Sequence, residues 1–236
     1  VKFMAKAQKI SLAEAAALVK DGMTVMAGGF MANGTAERIV DELVKTGVKD
    51  LTIICDDAGW GRKKNPQTGE YEGEAKGVGK LVQNHQVKKL IVSHVGLNPE
   101  CGDMYANGEI ELELVPQGTL AERIRCGGAG LGGFLTPTGV GTAAAEGKQL
   151  MTIDGKEYLL ELPLHADVAL IKAYTADESG NVQYKGSTRN FNPLMATAAD
   201  MVIAEADHVV PAGDIGPENV HTPGIFVNYI VDGGMK

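Results

Sequence analysis

The chain has 236 residues, 44% of them apolar and 22% charged, with a formal net charge of −8. That length suits one large α/β domain or two small ones, with a sizeable core, and the acidic balance argues against a nucleic-acid binder, whose phosphate contacts need clustered Lys and Arg. Cys55, Cys101 and Cys126 are widely spaced and form no CxxC pair, which argues against a disulfide framework or zinc site, and no run of about 18 apolar residues is present to cross a membrane.

In chain order, the N-terminal stretch "VKFMAKAQKISLAEAAALVKDG" carries a Glu inside its apolar part and lacks a secretory apolar core, and the cysteine usage makes a reducing cytosol the default expectation. Ser11 and Glu14 form a capping box that opens a helix over 12–20, with Gly22 beyond its end. "TVMAGG" reads as a short buried strand, and "TAERIVDELVKTG" as an amphipathic helix with Ile39, Val40, Leu43 and Val44 on its apolar side and Gly47 as its stop. A second strand, "LTIICDD", leads into a polar, glycine-rich excursion at 58–76. That excursion carries the one basic cluster, Arg62-Lys63-Lys64, read as a solvated tip. "VGKLVQNHQ" is a helix and "KKLIVSHVG" a third buried strand.

In "GEIELELVPQG", Ile110, Leu112 and Leu114 alternate with Glu109, Glu111 and Glu113, so the acids share one strand face, read as solvated rather than as a metal site. "TLAERIRCGG" forms the next helix and runs into the glycine-dense loop 127–142. "LMTIDGKEYLLEL" reads as a hairpin turning at Asp154-Gly155. "DVALIKAY" and "MVIAEAD" are buried strands with a helix near 193–200 between them. Strands and helices alternate through most of the chain without an obvious linker. The expectation is therefore a single α/β domain, 1–236, built on an open, largely parallel sheet with helices on both faces.

In such sheets ligands sit beyond the carboxyl ends of the strands. Four loops end there on this reading: 28–34, 56–61, 95–101 and 116–118. The first, Gly28-Gly29-Phe30-Met31-Ala32-Asn33-Gly34, runs into a helix start, where backbone N–H groups and the helix dipole favour an anion. Its spacing is neither the dinucleotide fingerprint nor a P-loop, so an anion site and a plain tight turn both remain open. Gln117, between Pro116 and Gly118, has an amide able to donate to an oxyanion, or merely to serve the following helix. The five histidines show no ligand spacing, and no G-x-S-x-G elbow is present. Residue chemistry alone thus yields a ligand-binding α/β unit with no evident nucleophile, base or metal site.

Three stretches change that reading: "DGMTVMAGGFMANGT", "VPQGTLAERIRCGGAGLGGFLTPTGVGT" and "TRNFNPLMATAADMVIAEAD". Together they resemble the α subunit of family I coenzyme A-transferases over nearly the whole chain. The resemblance implies transfer of CoA from a short-chain acyl-CoA (acetoacetyl-, butyryl- or acetyl-CoA) to a free carboxylate. The route is an acyl-glutamyl anhydride and then a glutamyl-CoA thioester, formed on a glutamate of a β subunit. This chain would then hold half an active site, paired as α2β2 or higher, with coenzyme A as co-substrate and no permanently bound cofactor. Residues 28–34 would lie against the thioester end of CoA, Gln117 would face the reacting carbonyl, and the 127–141 loop would shape the interface or acyl pocket.

Two departures from the family pattern stand out. Thr35-Ala36 follows Gly34 where many members carry a proline, and the 58–76 excursion is longer than in some relatives. A reading from another class is a non-catalytic acyl-CoA- or anion-binding regulatory domain on the same scaffold. A sugar-phosphate isomerase would need its own base and a basic pocket, and neither is evident.

Overall fold

The computed structural model describes residues 7–234. The opening residues 1–6, part of the stretch read above as lacking a secretory core, lie outside the described residues. The strands are β1 (Gln8–Ile10), β2 (Thr24–Ala27), β3 (Leu51–Ile54), β4 (Lys63–Lys64), β5 (Tyr71–Glu72), β6 (Val87–Val92), β7 (Glu111–Leu114), β8 (Phe134–Thr136), β9 (Leu150–Ile153), β10 (Lys156–Glu161), β11 (Ala166–Asp177), β12 (Val182–Gln183), β13 (Ala199–Val210) and β14 (Tyr229–Asp232). The helices are α1 (Leu12–Leu18), α2 (Glu37–Thr46), α3 (Gly79–Gln83), α4 (Pro99–Ala106), α5 (Gln117–Ala129) and α6 (Asn192–Met195).

The main sheet has the order β1-β14-β13-β11-β2-β3-β6-β7, every neighbouring pair parallel. Only β12 joins it antiparallel, against the far end of β11. The expected open, largely parallel sheet is borne out, and alternation along the strands divides the core into two layers. Val25, Ala27, Ile53, Leu90 and Leu170 face one layer with Ile39, Val40 and Leu43 of α2. Met26, Ile54, Ile91, Ala169 and Ile171 face the other with Leu120 and Ile124 of α5 and Met195 of α6. That period-2 switching between two helix-covered faces follows from the pleat of a strand buried on both sides.

Local signals explain several element ends. Ser11 accepts from the Glu14 N–H while Glu14 accepts from the Ser11 N–H, closing the capping box of α1. Gly47 closes α2 in the left-handed conformation at φ 69°. Where the sequence suggested a helix over 193–200, only Asn192–Met195 is helical, because β13 already starts at Ala199. The glycine-dense stretch 127–142 is not all loop: its first glycines complete α5, and β8 pairs with β10 in a small antiparallel sheet, order β8-β10-β9. The 150–162 hairpin forms as expected, with Asp154 and Gly155 both at positive φ in its turn. The acidic strand face is only partly solvated. Glu111 is exposed, whereas Glu113 pairs with Lys89 at 2.9 Å and Arg123 at 2.7 Å.

Candidate active site

Because β2, β3, β6 and β7 are parallel neighbours, their carboxyl ends share one edge of the sheet. The loops after them bring Gly28–Gly34, Asp56–Trp60, Ser93-His94 and Gln117 to that edge. Of the 28–34 loop, Gly28, Gly29 and Gly34 are buried, while Phe30, Met31 and Asn33 are exposed. The loop's outward surface is therefore its non-glycine centre.

The glycines have an internal reason. A Cβ on Gly28 would lie 1.9 Å from Asn192 Oδ1, and one on Gly29 would lie 2.1 Å from Thr35 Oγ1. Gly34, at φ 83°, would bring a Cβ to 2.6 Å from the Thr188 carbonyl. Two asparagines, one just before α6 and one at its first residue, stitch the loop to that part of the chain. Asn190 Oδ1 accepts from the Gly29 N–H at 3.2 Å, and its Nδ2 donates to the Asn33 carbonyl at 2.9 Å. Asn192, fully buried, donates to the Gly34 and Thr188 carbonyls and accepts from the Lys172 N–H. Close packing against Asn192, Thr35 and the Thr188 backbone thus requires glycine at 28, 29 and 34.

Residues 30–33 turn tightly. Phe30 and Asn33 exchange backbone hydrogen bonds of 3.0 and 2.9 Å, with Met31 and Ala32 between them at φ 52° and 61°. Left-handed backbone costs a non-glycine residue about 1–2 kcal/mol, and such strain persists only where surrounding contacts over-determine it.

The helix that follows offers no empty anion site. The N–H groups of Arg38 and Ile39 in the first turn of α2 both donate to Glu205 Oε2 at 3.0 Å. Glu205 is 1% exposed and also bonds Lys172 at 2.9 Å through Oε1. The anion that the glycine-to-helix pattern suggested is the protein's own carboxylate, supplied by β13. Among the described residues the Ala32 and Gly34 N–H groups make no hydrogen bond, which leaves them as the loop's free donors.

Gln117 is the first residue of α5, and it is exposed. Its side chain does not cap the helix. Nε2 donates instead across the sheet edge to Asp56 Oδ1 at 2.8 Å, which leaves its second N–H and its carbonyl available. Asp56 is fully buried, its Oδ1 lies 3.3 Å from the Ser93 hydroxyl, and its Oδ2 is buried with no partner. Burial pushes the Asp56 carboxyl above the usual range. The Gln117 hydrogen bond pulls it down and the Asp57 charge pushes it up again, with smaller downward contributions from Ser93 and His94. Asp57 is also buried, but its oxygens accept from the Met31 N–H at 2.6 Å and the Gly59 N–H at 2.8 Å. Neither aspartate is disposed as an exposed nucleophile. Burial drives the thiols of Cys55 and Cys101 up, the latter to about 11, so both stay protonated and unreactive.

The structure places Gln117 and the 28–34 loop, the two features singled out from the sequence, on the same sheet edge, where Gln117 bonds Asp56 and Met31 bonds the adjacent Asp57, and it adds Trp60, Asn190, Asn192 and Glu205. A residue model for "Coenzyme A transferase" matches residues 9–233. The chain belongs to the coenzyme A transferase family. It is 53% identical over 212 residues to the acetoacetyl-CoA:acetate/butyrate CoA transferase alpha subunit of Clostridium acetobutylicum, covering 90% of this chain and 91% of that one. It is 49% identical over 226 residues to the acetate CoA-transferase subunit alpha of Escherichia coli K12, covering 96% and 97%. An acyl-CoA transferase of Escherichia coli O157:H7, solved as a thioester complex with CoA, shares the fold at a TM-score of 0.80 and 21% identity. That match covers 96% of this chain and 47% of the longer solved chain. The resemblance read from the three motifs is borne out, and the chain is an α-type subunit of a CoA-transferase. No described helix of this transferase subunit is long and apolar enough to cross a membrane.

Proposed function

We propose that this subunit forms half of the active site of an enzyme that moves CoA from acetoacetyl-, butyryl- or acetyl-CoA to a free short-chain carboxylate. The observation that carries the reading is the presence at one sheet edge of an exposed amide, Gln117, and an exposed tight turn. A β-type partner would supply the attacking glutamate, on which the acyl anhydride and then the CoA thioester form. Gln117, oriented by Asp56, donates its free N–H to the oxygen that becomes negative as the carbonyl is attacked. The free N–H group of Ala32 is the loop's candidate for the same task. Phe30 and Met31, 39% and 38% exposed, would meet the thioester end of the acyl-CoA.

We assign an α2β2 or larger assembly in the cytoplasm. Three buried cysteines held as thiols suit that reducing compartment. The test follows acetoacetyl-CoA loss with acetate, for the chain alone and for the chain co-expressed with its β-type partner. Activity in the mixture alone supports the split site. Tight CoA binding by the lone chain in calorimetry, with no turnover in the mixture, would favour the regulatory-domain reading instead.

A further inference from the structure

The 58–76 excursion has no role in the reading so far, yet it ends on the strained turn. Met31 is held through both of its backbone groups. Its N–H donates to Asp57 Oδ2 at 2.6 Å, and its carbonyl accepts the Trp60 indole N–H at 2.8 Å. Asp57 is itself fixed by burial and by the Gly59 N–H. Trp60 is fixed by paired backbone hydrogen bonds with Lys76, 3.1 and 2.9 Å, which close the excursion at its base. The excursion in turn is fastened to α4: Arg62 pairs with Glu100, and both Lys64 and Tyr71 reach Asp103. Guanidinium and ammonium groups lie over the Tyr71 ring from Arg62 and Lys64, each 5.6 Å from its centre.

Two consecutive non-glycine residues at positive φ need such an external hold. The turn's own hydrogen bonds close its ends, and among the described residues only Asp57 and Trp60 grip its first central residue. We infer that Trp60 is a positioning residue for CoA transfer: with Asp57 it clamps Met31, so that the excursion fixes the shape of the Met31-Ala32 turn facing the acyl-CoA. The inference rests on the reading of residues 28–34 as the acyl-CoA contact.

The experiment uses the reconstituted complex and three α-chain variants: Trp60→Phe, Ala32→Gly, and both together. Phenylalanine keeps an aromatic ring and loses the indole donor, and glycine adopts positive φ without strain. Loss of one positioning hydrogen bond is expected to lower kcat by about 3- to 10-fold in Trp60→Phe. KM should stay within about twofold and the melting temperature near wild type. Ala32→Gly in the same chain should recover most of the lost kcat, because a relaxed turn needs less clamping. A kcat within twofold of wild type in Trp60→Phe, or a loss that Ala32→Gly does not recover, overturns the proposal.

A second readout does not depend on turnover. Trp60 is the only tryptophan of the chain. With the α chain alone isotope-labelled in the complex, its indole N–H should exchange with water far more slowly than a free indole. Exchange at the free rate removes the clamp. A protected indole in a complex that transfers no CoA would instead overturn the function proposed above, and the positioning role with it, leaving a purely architectural contact.

Discussion

Glu205→Gln tests whether the start of α2 is filled from within. The side chain is the same size, so packing is preserved and only the charge is lost. Glu205 accepts three hydrogen bonds, two from the Arg38 and Ile39 amides and one from the Lys172 ammonium. Bonds to a charged group contribute about 1.5–3 kcal/mol each, against about 0.5–1.5 kcal/mol for neutral ones. The two amide bonds therefore weaken by about 1 kcal/mol apiece. The third is lost outright, because the new NH2 faces the ammonium; Lys172 then leans on Asp207, 2.6 Å away. The expected cost is about 3–5 kcal/mol, in line with breaking a buried ion pair and a large share of a typical domain's about 5–15 kcal/mol of stability. Urea unfolding should show the midpoint falling at unchanged m-value, reversibly and at constant protein concentration. A variant within about 0.5 kcal/mol of wild type would refute the argument. It would mean that Glu205 does not cap α2 and that the helix start is open to an external anion. In that case inorganic phosphate should raise the midpoint of the variant.

Gln117→Ala should lower kcat of the reconstituted enzyme by about 100- to 1,000-fold with a smaller change in KM, in steady-state assays of acetoacetyl-CoA consumption. Asp56→Asn should stabilise the protein at neutral pH by on the order of 1 kcal/mol, since it keeps the Oδ1 acceptor for Gln117 and removes a buried charge with an unpartnered oxygen. The raised Asp56 pKa makes its contribution to stability complete below the ordinary value of 3.8 and lost as pH rises through the folded value. The advantage of the variant should therefore vanish in melting curves at acid pH and grow toward neutrality. Gly28→Ala drives a Cβ into Asn192, which is fully buried and tied to Gly34, Thr188 and Lys172. It should lose about 1–3 kcal/mol of stability by chemical denaturation, together with most of the activity.

The fold was legible in the sequence because its signals are local. The short apolar runs "TVMA" and "LTII", the capping box at Ser11 and the stop at Gly47 each act within a few residues, and each appears where the pattern put it. The shortened helix at 192–195 and the extra strand at 134–136 were not legible, because their limits are set by pairing with chain far away: β13 alongside β11, and β8 against β10. The site divides along the same line. Gln117 and the 28–34 loop announce themselves by position after a strand. Their partners do not. Glu205 lies 167 residues from Arg38, and Asn190 lies 161 residues from Gly29. Nothing in the local pattern around "AEAD" or "TRNFNP" marks either residue as a partner of the first glycine loop.

That division explains why the glycine loop was ambiguous when read alone. A run of glycines before a helix is compatible with an external anion, an internal one, or close packing, because all three need small residues and free amides. The structure separates them by showing what occupies each place. Asn192 and Thr35 stand where the Cβ atoms of Gly28 and Gly29 would be, and Glu205 stands where the anion would be. The glycines therefore build the loop, and the exposed Phe30, Met31 and Asn33 are what the loop presents. A mutational survey of binding that targets the glycines would measure folding. One that targets Met31, Trp60 and Gln117 would measure the chemistry, and the two sets should separate cleanly when kcat is plotted against melting temperature.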